Sequence, residues 1–225
     1  KNIRNFFMHK SIINLNEIKK EIHSKNLEKN FAVKIIAVTK TFSMDHISHL
    51  INDGHIDFGE NKVQEAVDKW TNVKADSPNL NLHMIGKLQT NKVKQAVNLF
   101  DYIHSLDSIK LAKKISEEEN KIKKKLKIFI QVNIGNEIQK SGISVNDLRN
   151  FYEVCTKEFN LDIVGLMCLP PIDSDPTLYF KHMNSLAHDL SLKELSMGMS
   201  SDYMYAIEQG ATFIRIGSKI FGSRN

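Results

Sequence analysis

Short apolar segments rich in β-branched residues alternate with longer segments of helical periodicity along this chain. Eight of the short segments predict strands, at 34–40, 56–61, 82–86, 102–106, 127–134, 163–169, 194–198 and 213–217. Between them, helical patterns cover 60–70, 90–100, 108–119, 145–158, 175–190 and 202–209. Strands that alternate with helices in this way are typical of parallel βαβ units.

Eight is the number of strands that closes a (β/α)8 barrel, and 225 residues fit the lower size range of that fold. The alternative is a doubly wound open sheet, which favours a glycine-rich phosphate loop after the first strand. Here the first strand ends in Thr39-Lys40-Thr41, without a glycine. No proline-rich linker, low-complexity tract or internal repeat divides the chain. We therefore predict an α/β protein with a single TIM-barrel domain over 1–225, in which 1–30 form a helical lead-in.

Composition narrows the class of protein further. A hydrophobic content of 41% with 25% charged residues is typical of a soluble globular domain. No apolar run approaches the roughly 18 residues of a membrane span, and the N-terminus lacks a signal-peptide pattern. The two cysteines, Cys155 and Cys168, have neither a disulfide framework nor metal-type spacing. We expect a reduced cytoplasmic protein that has no membrane association and no metal.

A basic run at 121–127 (KIKKKLK) is a candidate nucleic-acid patch in a chain of net charge +5. Three glutamates at 117–119 directly precede the run and largely cancel its charge. Basic runs without interleaved aromatic residues rarely bind nucleic acid. We interpret the run as the solvated end of a helix and expect no nucleic-acid partner.

Polar residues at predicted strand ends are the candidates for chemistry, because a barrel builds its site at the carboxyl ends of its strands. Lys40 is either a solvated strand end or a desolvated amine suited to Schiff-base chemistry. Arg215 lies within a strand, where a buried guanidinium requires either a carboxylate partner or a ligand at the barrel centre. The serine- and glycine-containing loops at 196–202 and 217–220 match the phosphate site of barrels, although helix capping uses the same residue types.

Seven blocks in order, from about Lys34 to Arg224, resemble the pyridoxal phosphate (PLP) homeostasis proteins. That family consists of single-domain barrels similar to the N-terminal domain of bacterial alanine racemase, without its C-terminal β-domain. The blocks are AVTKT (37–41), FGEN with VQE (58–65), HMIG with LQTNK (83–92), VN with KSG (132–142), GLM (165–167), LSMGMS (195–200), and RIG through IFG (215–222).

The resemblance implies a set of PLP contacts. Lys40 would hold PLP as an internal aldimine, Asn61 would lie beside the cofactor, and Arg215 would face its pyridine nitrogen. The residues that would gather the phosphate are Ser196, Ser200, Gly217 and Ser218. Lys140, in the KSG block, would be a secondary PLP contact.

A guanidinium opposite the pyridine nitrogen leaves that nitrogen as an unprotonated acceptor. This weakens the electron sink on which most PLP chemistry depends. Racemase combines the same arrangement with a second acid–base residue from its β-domain, and this chain has no length for such a domain after the eighth strand. We therefore expect a monomeric PLP carrier for intracellular homeostasis, without catalytic residues, that supplies PLP-dependent apo-enzymes.

The alternative is a small PLP-dependent racemase or lyase that acts on amino acids. Such an enzyme needs a second base, for which Lys140, Lys87 or a histidine is a candidate. His83 and His104 occupy strand positions, and a lone histidine in a strand is more often a hydrogen-bonded core residue than a base. We interpret both as core residues.

Overall fold

The structure is a computed structural model that describes residues 8–25 and 32–222. Eight parallel strands close a barrel in chain order, with β8 paired to β1. The strands are β1 (Lys34–Val38), β2 (Asp57–Glu60), β3 (Asn81–Met84), β4 (Tyr102–Leu106), β5 (Lys127–Val132), β6 (Asp162–Cys168), β7 (Glu194–Ser196) and β8 (Phe213–Ile216). The predicted (β/α)8 barrel is confirmed, and the open sheet is excluded.

Helices surround the barrel. They are α1 (Lys10–Ser24), α2 (Met44–Asn52), α3 (Val63–Asp76), α4 (Val93–Leu99), α5 (Ile109–Ile122), α6 (Leu148–Glu153), α7 (Pro176–Asp189), α8 (Tyr203–Glu208) and α9 (Ser218–Phe221). A 3₁₀ turn (Thr90–Lys92) precedes α4, and a π-helical turn (Val154–Glu158) continues α6. The sequence patterns missed α2 and α9. In α2, buried Ile47 and Leu50 are too few to establish a period.

The predicted lead-in over 1–30 contains α1, whose buried face belongs to the larger core and contacts α9 and α2. Positions 1–7 and 26–30 of that prediction lie outside the described residues, as does Arg224. The helix predicted from 60 begins instead at Val63, because β2 extends to Glu60. In the described part of the chain, no helix has both the length and the hydropathy of a membrane span.

Two hydrophobic cores fill the molecule. The larger one lies between the strands and the helices, and it follows from the alternation of side chains along each strand. The smaller one occupies the barrel interior and consists of Ile36, Tyr102, Phe129, Met167 and Phe213. Buried polar side chains of β3, β4, β7 and β8 lie in this interior beside the smaller core. They are His83, His104, Ser105, Ser196 and Arg215.

The basic run at 121–127 spans the end of α5 and the start of β5. Lys123 has left-handed backbone geometry, with φ 54°, and thereby ends the helix. Lys121 pairs with Glu118 at 2.8 Å, and Lys125 pairs with Glu119 at 3.0 Å. The interpretation as a helix end is confirmed, and part of the charge is neutralised locally.

Candidate functional site

A cavity of about 590 Å³ opens at the carboxyl ends of the strands. Its volume is within the range of roughly 300–1,000 Å³ that is usual for small-molecule sites. The predicted site residues in its wall are Lys40, Asn61, Ser200, Arg215, Gly217 and Ser218. The structure therefore brings together six residues from opposite ends of the sequence.

Helix α3 holds the backbone on both sides of Lys40. Lys69 Nζ donates to the carbonyl oxygen of Thr39 at 2.9 Å, and the Thr41 amide donates to Glu65 Oε1 at 2.6 Å. Thr41 has a φ of 69°, in the left-handed region. Lys40 itself is half-buried. The backbone from which the Lys40 side chain extends toward the cavity is thus held on both sides by α3.

A buried carboxylate, Glu60, lies beneath this segment. Its Oε1 accepts hydrogen bonds from Thr39 Oγ1 at 2.7 Å, Lys69 Nζ at 2.9 Å and Trp70 Nε1 at 3.0 Å. The side chains of Glu60 and Lys69 are 0% and 10% exposed. The sequence marked Glu60 only as part of the FGEN block, and its contacts with Lys69 and Trp70 show that it joins β1, β2 and α3.

Arg215 is 5% exposed and reaches the cavity from β8. Its Nη1 donates to Ser196 Oγ at 2.7 Å, and its Nη2 donates to the Cys168 carbonyl oxygen at 2.9 Å. Burial lowers the pKa of the guanidinium from its ordinary value, but guanidinium groups remain protonated in proteins. Among the described residues no carboxylate forms an ion pair with Arg215. Its hydrogen-bond partners are a hydroxyl group and a backbone carbonyl group.

Ser196 lies in the barrel interior and not in the cavity wall. Its side chain is fully buried, and its Oγ lies 2.7 Å from Arg215 Nη1 and 2.8 Å from His104 Nδ1. The last residue of β7 thus contacts Arg215 on the side away from the cavity, and its contact with the phosphate stays a prediction.

The loops that follow β7 and β8 meet at one side of the cavity. Ser200 Oγ accepts a hydrogen bond from the Lys219 amide at 3.4 Å, which ties the first loop to α9. Asp202 Oδ1 accepts from the Met199 amide at 2.6 Å and stabilises the turn within that loop. Ser200, Gly217 and Ser218 thus lie together, as the prediction of a phosphate site requires.

Lys140 lines a second cavity, of about 380 Å³, which adjoins the first. The two cavities share Asn61, Ile85 and Leu169. Lys140 Nζ forms an ion pair with Glu137 Oε2 at 2.5 Å and donates to a backbone carbonyl oxygen at 3.2 Å. Lys140 therefore lies in the second cavity, beside the cavity that contains Lys40.

Gly86 is a feature of the mouth that the sequence did not single out. A Cβ atom at this position would lie 2.3 Å from the carbonyl oxygen of Asn61 and 2.7 Å from its Cα. Both distances are shorter than a non-bonded contact, so glycine permits the end of β3 to lie against Asn61. The position of Asn61 between the two cavities depends on this close approach.

Known proteins are similar to this chain along most of its length. The profile of the family described as "Alanine racemase, N-terminal domain" matches residues 13–225. The pyridoxal phosphate homeostasis protein of Aquifex aeolicus is 37% identical over 200 residues, which are 85% of this chain and 87% of that protein. The protein of the same name from Pasteurella multocida is 38% identical over 204 residues, covering 86% and 88%. This chain belongs to the pyridoxal phosphate homeostasis protein family.

Solved structures agree with the family. PipY of Synechococcus elongatus, solved without PLP, is 32% identical, with a TM-score of 0.85 over 95% of this chain and 100% of PipY. PipY has also been solved with PLP bound, and that structure matches with a TM-score of 0.84. An alanine racemase of Clostridium difficile is 16% identical with a TM-score of 0.73 and shares the fold over 57% of its own length.

In this family member, the two interior histidines are core residues, as interpreted from the sequence. His83 and His104 are fully buried. His83 Nε2 lies 3.1 Å from Asp57 Oδ1, and its Nδ1 lies 2.9 Å from His104 Nε2. Burial lowers the pKa of His83 and lowers that of His104 well below its ordinary value. Both rings are therefore neutral near pH 7.

We expect the protein to lose stability as the pH falls below about 6.5. The unfolded chain takes up protons at His83 and His104 that the folded chain, with its lowered histidine pKa values, does not accept. The free energy of unfolding then decreases by up to about 1.4 kcal/mol per pH unit for each histidine. Urea unfolding between about pH 7 and pH 5 measures this slope. The exposed-histidine variant His188→Asn should show the same slope, and a flat profile in the parent protein would contradict the expectation.

Proposed function

We propose that this chain binds PLP in the 590 Å³ cavity, attaches it covalently through Lys40, and acts as a carrier in intracellular PLP homeostasis. The observation that supports this most is that Lys40, Arg215 and the two serine loops line one cavity. An amine, a hydrogen-bond donor on a rigid strand, and a cluster of hydroxyl groups correspond to the three functional groups of PLP. Membership of the family and the PLP-bound structure of PipY point the same way.

Each end of PLP has a complementary group in the cavity. PLP, when bound, supplies an electrophilic aldehyde carbon and a heteroaromatic ring that can withdraw electrons. The amine of Lys40 is suited to the aldehyde, and Arg215 can donate a hydrogen bond to the ring nitrogen. Ser200 and Ser218 can donate to phosphate oxygens from the loops that follow β7 and β8.

The carrier role is supported by the ionisable groups at the cavity. Of the described residues in its wall, Lys40 and Arg215 are the ionisable ones. Racemisation or elimination needs a base or acid in addition to the lysine that holds the cofactor. Arg215 cannot serve as that base, because a guanidinium is not deprotonated in proteins, and it leaves the ring nitrogen as an acceptor. Of the candidate second bases, Lys140 and Lys87 line the adjoining cavity, where Lys140 is ion-paired, and His83 and His104 are buried in the barrel interior.

The proposal includes a cytoplasmic, monomeric protein that hands PLP to apo-enzymes. Cys155 and Cys168 are buried and unbridged, and burial raises the pKa of each thiol to about 12. Neutral buried thiols suit a reducing compartment, since they contribute packing and not a disulfide.

The experiment compares PLP transfer with catalysis. The purified protein is loaded with PLP, freed of excess cofactor, and mixed with a PLP-dependent apo-enzyme whose activity reports transfer. We expect the apo-enzyme to regain activity in proportion to the PLP supplied. In parallel, amino acids are incubated with the loaded protein in deuterated water. Sustained exchange at Cα would contradict the carrier role and support the racemase or lyase alternative.

A further inference from the structure

A continuous line of hydrogen-bonded side chains crosses the interior of the barrel. It begins at Arg215, in the wall of the cavity, and passes through Ser196 at 2.7 Å to His104 at 2.8 Å. From there it continues to His83 at 2.9 Å and to Asp57 at 3.1 Å. Asp57 is the first residue of β2, so the line ends at the amino ends of the strands, opposite the cavity.

At the Arg215 end of the line the first hydrogen bond has a fixed direction. A guanidinium can only donate, so Ser196 Oγ accepts from it. The hydroxyl of Ser196 keeps its one hydrogen, which it can donate to His104 Nδ1. In that arrangement neutral His104 carries its proton on Nε2 and donates it to His83 Nδ1. His83 is left with its proton on Nε2, directed at Asp57.

The other end of the line fixes this direction. Asp57 Oδ1 also accepts a hydrogen bond from Asn81 Nδ2 at 2.9 Å. Burial raises the pKa of Asp57, but the hydrogen bonds from His83 and Asn81 outweigh it, and the net pKa is lowered. An ionised carboxylate can only accept, so His83 Nε2 must donate. Neutral His83 then accepts at Nδ1 from His104 Nε2, and neutral His104 accepts at Nδ1 from Ser196. The anion thus selects one tautomer of both histidines, and the cation at the other end is compatible with it.

Aromatic stacking holds the two rings in place. His83 stacks on Tyr102 with centroids 4.3 Å apart and an angle of 17°, and His104 stacks on Phe129 at 4.3 Å and 16°. A flip of either ring would put carbon atoms in the places of both nitrogens and break the line on both sides. Packing inside the barrel therefore opposes a reorientation that would interrupt the hydrogen bonds.

We infer that Asp57, His83, His104 and Ser196 form an oriented relay that links buried Arg215 to an ionised carboxylate at the far end of the barrel and holds the guanidinium as a donor toward the cavity. The four are positioning residues, since they act through Arg215. With respect to PLP the inference rests on the proposed function: Arg215, so held, keeps the ring nitrogen an unprotonated acceptor. Hydrogen bonds in such a chain polarise one another, so loss of one link weakens the rest.

A matched pair of serine variants tests the relay. Ser196→Ala removes one link, whereas Ser105→Ala removes a hydroxyl that is equally buried but has no hydrogen-bond partner among the described residues. Nitrogen-15 NMR of labelled histidines, recorded without PLP, reports the tautomers. We expect His83 and His104 to carry their protons on Nε2, and we expect the His104 Nδ1 signal to move in Ser196→Ala and to stay in Ser105→Ala. A proton on Nδ1 of either ring in the parent protein, or identical spectra of the two variants, would overturn the relay.

A second measurement addresses the cofactor. With PLP added, Ser196→Ala is expected to weaken binding by about ten-fold, the effect of one lost hydrogen bond to a charged group, and to shift the pH at which the PLP absorbance band titrates. Ser105→Ala should change neither. If the two variants bind and titrate alike, the effect of the relay on PLP is refuted. If the parent protein binds no PLP, the proposed function fails, and the NMR measurement still decides the relay.

Discussion

Replacing Lys40 with alanine is expected to abolish covalent attachment of PLP and leave the barrel folded. The backbone on either side of Lys40 is held by Lys69 and Glu65, whose contacts do not involve the Lys40 amine. Residual binding through the serine loops and Arg215 should be weaker by roughly 100-fold or more, equivalent to about 2.7 kcal/mol. Borohydride reduction of the loaded protein, followed by mass spectrometry of the digest, locates and quantifies the adduct.

Lys62→Ala is the matched control for this change. Lys62 is an exposed lysine that follows Asn61 in the chain and precedes α3. We expect its loss to leave the adduct on Lys40 unchanged in amount. Full occupancy of PLP on another lysine in Lys40→Ala would contradict the assignment of Lys40. Equal losses in both variants would point to a general effect of positive charge at the mouth.

Glu60→Ala is expected to lower the free energy of unfolding by about 2–4 kcal/mol, because it leaves buried hydrogen-bond donors without their acceptor at a cost of about 1–3 kcal/mol each. The indole N–H of Trp70, a fully buried side chain, would lose its hydrogen-bond acceptor. Lys69 would lose Glu60 but keep Glu65 as an ion-pair partner at 3.1 Å. The hydroxyl of Thr39 would lose its shortest contact as well. Urea unfolding, followed by tryptophan fluorescence, measures the change.

An exposed glutamate provides the comparison for Glu60. Glu117 is 46% exposed and contacts Lys114 at 3.5 Å, so Glu117→Ala should change stability by less than about 0.5 kcal/mol. The Glu60→Gln variant keeps an acceptor for Trp70 and should fall between the two. A cost for Glu60→Ala no greater than that for Glu117→Ala would mean that the buried carboxylate does not stabilise the junction of β1, β2 and α3.

Most of the eight strands could be predicted from the sequence because they are short apolar runs whose burial on both faces follows from their composition. The exception is β2, a buried strand with an acidic residue at each end. Lys40 and Arg215 could be singled out because a charge at the end or in the middle of such a run is costly and needs a reason. Helix α2 could not, since it buries only Ile47 and Leu50 and its polar remainder has no clear period.

Most side-chain contacts within the site could not be predicted from the sequence. Ser196 could be placed at the end of β7, but strand stagger decides whether such a residue faces the mouth or the layer beneath it, and no local pattern encodes stagger. Glu60 meets Lys69 and Trp70 only through the packing of α3 on the barrel. His104 and Ser196 are 92 residues apart, so their hydrogen bond appears only in three dimensions.

The close approach of Gly86 to Asn61 limits how the mouth of this barrel can be redesigned. A protein engineer who wished to reshape either compartment would naturally begin with the residues that line both. Any side chain added at position 86, even a methyl group, displaces the backbone of Asn61, so the two cavities cannot be altered separately from that side. Diversified libraries should therefore keep the glycine fixed and vary Ile85 and Leu169, which line both cavities.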